Sequence, residues 1–361
     1  MVDYHKQALN HIKLEQLDLA IECYIKLIEI NPTTIYLREL GDLYEKKGLF
    51  MKAISECYII ILKTEPNNGV ILNQIGVCYF NSSQFKLAIH YFNKVIKIKE
   101  ISDVYCNIGL CHVNIKDYSG AENIFLKAFK IDKKNVKCLS SLGELYYFKK
   151  EYNKSIQFYY QISNMTDYHI YNASFSYLAK KDFKHGFKLY ETRLNFNNIN
   201  PQTNLKDRLD LPSIPYWNGK DICNKLLIIA EQGLGDNIQY YRFIIQLAMC
   251  YPLMKIFYFC KKEISHIFKQ YENINIIDNV ILLNYDFKIY IMSLPFFLNI
   301  KSIEPVKENY IITNESKLTF WRETFSPLKK LKVGFCYNGL LSSFIEKYIP
   351  LSEFSKLGGV D

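Results

Sequence analysis

Glycine and proline are scarce in this chain, 15 and 10 in 361 residues. That scarcity argues against a loop-rich or low-complexity chain, and with 29 Tyr and 24 Phe it suits stacked helices. No CxxC pair occurs among the ten cysteines, Cys23, Cys57, Cys78, Cys106, Cys111, Cys138, Cys223, Cys250, Cys260 and Cys336. The spacing of a zinc site is therefore missing. Free Cys packs as a small hydrophobe, so the expectation is a reducing, cytoplasmic compartment. Met1-Val2-Asp3-Tyr4-His5-Lys6 has no apolar core behind its basic residue, and no signal peptide is expected. No run reaches the roughly 20 uninterrupted apolar residues that cross a bilayer. The most apolar stretch, 276–300, is broken by Asp278, Asp286 and Lys288 and reads as soluble strands. The formal charge is +9, but arginines are few and no block of about five or six like charges occurs. No nucleic-acid footprint results. Nor is there a carboxylate pair, a Ser/His/Asp set or a metal cluster, so no metal, no cofactor and no independent catalytic site are expected.

The informative presence is an internal period. Gly41, Gly76, Gly109 and Gly143 are spaced 35, 33 and 34 residues apart, and each follows an apolar residue, Leu40, Ile75, Ile108 or Leu142. Three residues on come Tyr44, Tyr79, His112 and Tyr146. A second series, Ala20, Ala53, Ala88, Ala121 and Ser155, keeps step at 33, 35, 33 and 34, with Tyr24, Cys57, Phe92, Phe125 and Tyr159 four residues later. Two interleaved series at this period describe stacked helical hairpins. The small residues are expected where the two helices of one hairpin cross, and the aromatics between one hairpin and the next.

These residues resemble the tetratricopeptide repeat family over about residues 1–195. The first unit keeps Ala20, Tyr24 and Pro32 without the Leu-Gly pair. A sixth unit starts at Asn172-Ala173-Ser174-Phe175 and ends in Asp182–Arg193, with Gly186 in place of the packing Ala. End repeats are atypical because one face meets something other than a repeat. The first helix of each hairpin lines the concave face in this family. Residues two before each packing Gly or its equivalent, Glu39, Gln74, Asn107, Ser141 and Asn172, are then candidates to hold a protein or peptide. Amide side chains offer donor and acceptor together and grip a backbone without reading its sequence. The arrangement resembles the asparagine ladder of the O-linked N-acetylglucosamine transferase, with Asn only at Asn107 and Asn172. Ordinary solvated polar positions are the alternative.

Residues 196–215 lack helical period and are rich in Asn, Asp and Pro, which suits an ordered connector. Lys225–Glu231 is a short apolar run of the kind buried on both faces of a sheet. It leads into Gln232-Gly233-Leu234-Gly235-Asp236-Asn237 and an amphipathic run over Ile238–Cys250. Strand, glycine turn and helix open a Rossmann-like unit. Further strands are expected at Lys255–Cys260, Ile274–Ile277, Lys288–Met292 and Leu331–Tyr337. Helices are expected at Lys261–Tyr271 and Glu315–Phe325.

The block Glu231–Phe243, with Pro215-Tyr216-Trp217-Asn218-Gly219, the segment Asp182-Phe183…Tyr190-Glu191…Arg193 and Met292-Ser293-Leu294-Pro295, resembles bacterial tetratricopeptide-repeat glycosyltransferases. Those are similar to the heptosyltransferases with the GT-B fold. The resemblance spans about residues 165–355. It implies an α + α/β chain, a repeat superhelix (1–195), a linker (196–215), a Rossmann-like acceptor-side domain (216–325) and an incomplete start of the nucleotide-sugar domain (326–361). It implies a glycan acceptor held near Gly233, Gly235, Gln239, Arg242 and Ser293, with Asp236 as general base. Asp236 reads equally well as the cap of the following helix. Val333–Gly339 resembles the first strand and loop of the donor domain, with Tyr337 where the family usually has Trp, and Lys347-Tyr348-Ile349-Pro350 stands where the family has Arg-Ser-Ile-Pro. A donor domain needs on the order of 100 residues or more, more than follow here. The expected function is a scaffold that is not catalytic alone, or else a truncated or split glycosyltransferase.

Overall fold

The structure, a computed structural model, describes residues 3–195, 214–221, 223–231, 233–269, 271–277, 284–304, 309–312 and 315–326. Most of the expected connector 196–215, the strand expected at 331–337 and nearly all of 326–361 lie outside these residues.

Six helical hairpins come first. They are α1 (Tyr4–Lys13) with α2 (Leu17–Ile30), and α3 (Thr34–Lys46) with α4 (Phe50–Lys52), which runs on into α5 (Ile59–Thr64). Then come α6 (Gly69–Asn81) with α7 (Phe85–Ile98), α8 (Ser102–Asn114) with α9 (Tyr118–Ile131), α10 (Val136–Phe148) with α11 (Tyr152–Tyr160), and α12 (Asp167–Ala179) with α13 (Phe183–Tyr190). Side chains start many of them. Asn68 accepts from the Val70 and Ile71 amides, Asn135 from Cys138 and Asp117 from Gly120. Each satisfies a donor that the first helical turn leaves without a carbonyl. Each hairpin turns through one left-handed residue, Glu15, Gly48, Ser83, Lys116, Lys150 or Lys181. The next amide reaches back to the helix, as from Asp117 to the His112 carbonyl at 2.9 Å. This closes a Schellman-type cap.

The glycine series has a different physical basis from the one expected. A β-carbon on Gly41, Gly76, Gly109 or Gly143 would lie under 3.0 Å from the ring of Tyr58, Phe92, Phe125 or Tyr159 respectively. Each ring belongs to the second helix of the same hairpin, so the aromatics fill the hairpin itself. The missing side chain makes room for a whole ring, and interiors close-pack in this way. In the first unit Ala8, fully buried beside Tyr24 in the same core cluster, takes the glycine's place. Ser155 stands in for the alanine, and its hydroxyl is satisfied by the Gly143 carbonyl at 2.7 Å and by Ser176 at 2.8 Å.

The second unit breaks the expected spacing. Its ring comes from Tyr58, five residues after Ala53, where the pattern pointed to Cys57. The backbone over Ala53–Tyr58 is a π-helical turn, which absorbs one extra residue without turning the following helix. Ser55 is exposed there. Deleting Ser55 is expected to convert the turn to α-helix and shift the melting temperature by only a few degrees. Deleting the exposed Asn123 from α9 rotates Phe125 off Gly109 and is expected to abolish a cooperative melt. Equal effects of the two deletions, read by circular dichroism, would disprove this account of the insertion.

The second part is a parallel sheet of β1 (Lys225–Ile229), β2 (Lys255–Phe259), β3 (Ile274–Ile277) and β4 (Phe287–Tyr290) in the order β3-β2-β1-β4. Central β1 pairs Leu227 with Phe257 on one side and with Lys288 on the other. Its apolar run is buried on both faces, as a central parallel strand must be. Leu226 and Ile228 enter one core cluster with α14 (Leu234–Cys250). Leu227 and Ile229 enter another with Tyr285.

α14 starts four residues earlier than expected because Gly233 and Asp236 cap it. The helix expected over Lys261–Tyr271 is only α15 (Lys262–Ser265). There Phe268 is buried and stacked on Tyr241 at 4.3 Å. The Ile267–Lys269 backbone pairs with Tyr310 and Ile312, which holds it extended. After β4, a 3-10 turn (Ile291–Ser293) leads into α16 (Leu294–Phe297), and α17 (Glu315–Phe325) follows as expected.

Candidate functional site

Two polar regions stand out. The first is the face of the first helices. Between α6, α8 and α10 lies a groove of about 640 Å³, walled by Asn73, Val77, Phe80, Asn107, Leu110 and Lys137. Asn107 is the one predicted peptide-binding residue lining it, and its side-chain oxygen accepts from the Lys137 ammonium. Asn73 lines it too, although the rule of two residues before the glycine passed it over. Asn73 faces the groove from α6 on one stripe with Val77 and Phe80, whereas Asn107 faces it from α8, so the two helices present different stripes to one groove.

The other predicted positions fall on neighbouring rungs. Gln74 is half-buried and donates to Asp42 at 2.5 Å. Tyr58 donates to Glu45 at 2.5 Å and lies 3.0 Å from Asp42. Ser141 is buried, Asn172 half-buried and Glu39 exposed. Three side-chain atoms on these helices are shielded and without a hydrogen-bond partner: Asn73 Oδ1, Gln74 Oε1 and Ser140 Oγ.

Acidic groups lie along these helices, Asp42 and Glu45 on α3, Glu144 on α10, and Asp103 in the groove with Lys137. Burial, with Asp42 close by, raises the carboxyl of Glu45 above its ordinary range, against the donated Tyr58 hydroxyl. Burial also raises Glu144, against a 3.2 Å hydrogen bond from Tyr168. The second helices carry more lysines than the first, among them Lys86, Lys94, Lys97, Lys127 and Lys130.

The second region sits where β1 and β4 end. Glu231 follows β1 and is 2% exposed. Its Oε1 accepts from Arg193 at 2.6 Å and from the Met292 amide at 3.0 Å. Arg193, at the end of the last hairpin, also reaches Glu191 at 2.7 Å and Ser293 at 2.8 Å. Ser293 is thus fully buried, holding the guanidinium. Burial works against the Arg193 charge, but Glu231 and Glu191 hold the guanidinium protonated. Burial lifts Glu231 even against that pairing.

The other predicted residues of this region do not converge. Asp236 accepts from the Gly233 amide at 3.1 Å, which is a capping contact. Gly235 would meet nothing within 4 Å if it carried a side chain. Gln239 is exposed, and Arg242 reaches away to the Glu304 carbonyl at 3.4 Å. Asn237, which sequence reasoning did not single out, ties the loop. It donates to the Glu231 and Gly233 carbonyls at 2.9 and 2.8 Å and accepts from Tyr258 at 3.0 Å. Among the described residues no group of three or more His, Cys, Asp or Glu could hold a metal ion. No described helix is long and apolar enough to cross a membrane.

Comparison with known proteins bears on the first region. A family model described as "Tetratricopeptide repeat" matches residues 4–34, 70–101 and 102–135. The unmatched interval between the first two spans is the unit with the π-helical turn. Tetratricopeptide repeat protein 21B of Xenopus laevis is 29% identical over 147 residues, covering 38% of this chain and 11% of that protein. BBSome complex member BBS4 of Bos taurus is 26% identical over 196 residues, covering 52% of this chain and 37% of that protein. The chain thus spans from about a tenth to under two fifths of these relatives' length. A solved tetratricopeptide repeat protein from Parabacteroides merdae superposes with a TM-score of 0.47 at 18% identity, covering 56% of this chain and 81% of that one. With the matched spans, the glycine–ring pairs and the six stacked hairpins in place, the helical part of the chain is a tetratricopeptide-repeat array.

Proposed function

We propose that the chain is a protein-interaction scaffold whose first-helix face holds an extended polypeptide segment rich in basic side chains. The observation that carries this reading is the groove between α6, α8 and α10, with shielded, partnerless amide and hydroxyl atoms on the same row of helices. Left without a partner, such atoms cost about 1–3 kcal/mol each, and the amides and carbonyls of a passing backbone match them. The acidic groups Asp42, Glu45, Asp103 and Glu144 favour Lys or Arg on that segment.

The test uses the full chain and two labelled peptides of equal length, one alternating Lys with Ala and one alternating Glu with Ala. The Lys peptide is expected to bind more tightly and to weaken as salt rises. Glu144→Gln is expected to lower its affinity about tenfold, the worth of a charged hydrogen bond of about 1.5 kcal/mol. Equal binding of the two peptides would refute the charge preference. Binding that is unchanged by Glu144→Gln and by Asn107→Ala would refute the face itself.

A second reading concerns the sheet. Its parallel order with β1 inside, and a glycine loop at the N-terminus of α14, support a Rossmann-like acceptor-side unit of a glycosyltransferase. Asp236→Asn separates the roles of its carboxylate. Asn keeps an oxygen that can accept from the Gly233 amide but gives up the charge favoured at a helix N-terminus, about 0.3–1 kcal/mol, so the variant is expected to melt within a few degrees of the parent. If the loop holds a sugar hydroxyl, calorimetric titration with free sugars is expected to show affinity reduced by about 1.5–3 kcal/mol. Unchanged affinity removes Asp236 from any such site.

A further inference from the structure

The last hairpin makes its contacts unevenly. Toward the array it offers Ala173 and Ser176, with Tyr168 reaching Glu144 and Phe175 beside Tyr147 of α10. Ala173 joins Leu139, Tyr159 and Ile162 in one small cluster, and Ser176 meets Ser155. Toward the sheet it offers large side chains. Phe187 and Tyr190 are members of the cluster that holds Leu226, Ile228 and Tyr241, and Tyr171, Phe175, Leu178 and Phe183 pack against it. Buried area scales with side-chain size, and the large, almost fully buried side chains of α13, Phe187 and Tyr190, lie in the cluster of the sheet.

Polar contacts run to both sides, Tyr168 to Glu144 and Ser176 to Ser155 of the array, but the buried charge of the hairpin runs to the sheet. Arg193 spans 38 residues to Glu231 and 100 to Ser293, and the Tyr190 hydroxyl faces Met292 sulfur at 3.7 Å. Thr192 and Asn195 tie this turn back to Asp167 at the start of α12, so the Arg193 contacts hold both helices. The earlier hairpins differ. In four of them the second helix lays a ring on a glycine of the first, and in the first hairpin Ala8 takes the glycine's place, whereas Gly186 of α13 faces Leu178.

We infer that the α12–α13 hairpin is energetically the first element of the sheet unit, pinned there by Arg193, and that the array yields at residues 161–166. The repeat pattern assigns this hairpin to the array; its packing assigns it to the sheet. One consequence follows for binding. Asn172 is held fixed relative to the Gly233–Asp236 loop, while the rungs of Gln74 and Asn107 can move against both.

Native-state hydrogen exchange on the full chain at increasing denaturant tests this. Amides of Ser174–Ala179 and Phe187–Tyr190 are expected to follow the same isotherm as those of β1 and β4. Amides of α6 to α9 are expected to follow another. In Arg193→Met, exchange of α12, α13 and the Met292 amide is expected to rise at least tenfold with α6 to α9 unchanged. Convergence of α12 and α13 with α10 and α11 would overturn the inference. A single isotherm for every protected amide would overturn it too, because no boundary would then exist. The wild-type measurement stands alone if the variant fails to fold.

Discussion

Replacing Phe125 with alanine lowers the free energy of unfolding by about 3–5 kcal/mol, the range for deleting a buried ring. Phe125 is fully buried on Gly109, and its cluster includes Cys138, Leu142 and Tyr146 of the next hairpin. One ring therefore closes its own hairpin and supports the following one. The sharper test is a pair of second changes. Gly109→Ala alone drives a β-carbon into the Phe125 ring and destabilises the array by overpacking, about 1–3 kcal/mol. In the Phe125→Ala background the clash is gone. The added methyl then fills space and improves helix propensity, where glycine costs about 1 kcal/mol. The same substitution is expected to change sign between the two backgrounds. Denaturant melts of the four proteins measure it, and a Gly109→Ala effect of one sign in both would show that the glycine is not there for the ring.

The array was legible in the sequence because its determinants are local and repeat. A glycine, an alanine and a ring at fixed spacing survive whatever surrounds them. What was not legible depended on backbone that departs from the repeat. Cys57 sits four residues after Ala53 as the pattern requires, yet Tyr58 covers Gly41, because a π-helical turn leaves no mark in residue types. Asn73 was missed because the groove is walled by different stripes of neighbouring helices, Asn73 and Val77 from α6 and Asn107 and Leu110 from α8, where the rule admitted one position per repeat. In the sheet, the strands were readable from short apolar runs. The helix expected over 261–271 was not, because Phe268 answers to Tyr241 and Ile311, which are distant in the chain. Ser293 and Arg193 were each noticed as parts of motifs. Their meeting across 100 residues has no local signature at all.

That meeting carries the other large effect. Arg193→Met is expected to destabilise the protein by about 3–5 kcal/mol, since it leaves the Glu231 carboxylate buried without its cation. Screening does not rescue it, because both side chains are almost wholly out of solvent, 5% and 1% exposed. The pair itself need not stabilise the fold. Desolvating two charges costs about what their attraction returns, and apolar replacements of similar volume are often neutral or better. The double variant Arg193→Met with Glu231→Met is therefore expected to recover most of the loss. The Met292 amide and the Ser293 hydroxyl lose their partners in that variant, at about 1 kcal/mol each, and this limits the recovery. Chemical denaturation of wild type, both single variants and the double variant measures the coupling directly. Additive losses, with the double variant worse than either single, would mean that Arg193 and Glu231 stabilise the fold independently rather than as a pair. Recovery would place the charge pair among features retained for what they position rather than for the stability they add. The feature positioned would then be the Glu231–Asp236 loop, held against the end of the repeat array.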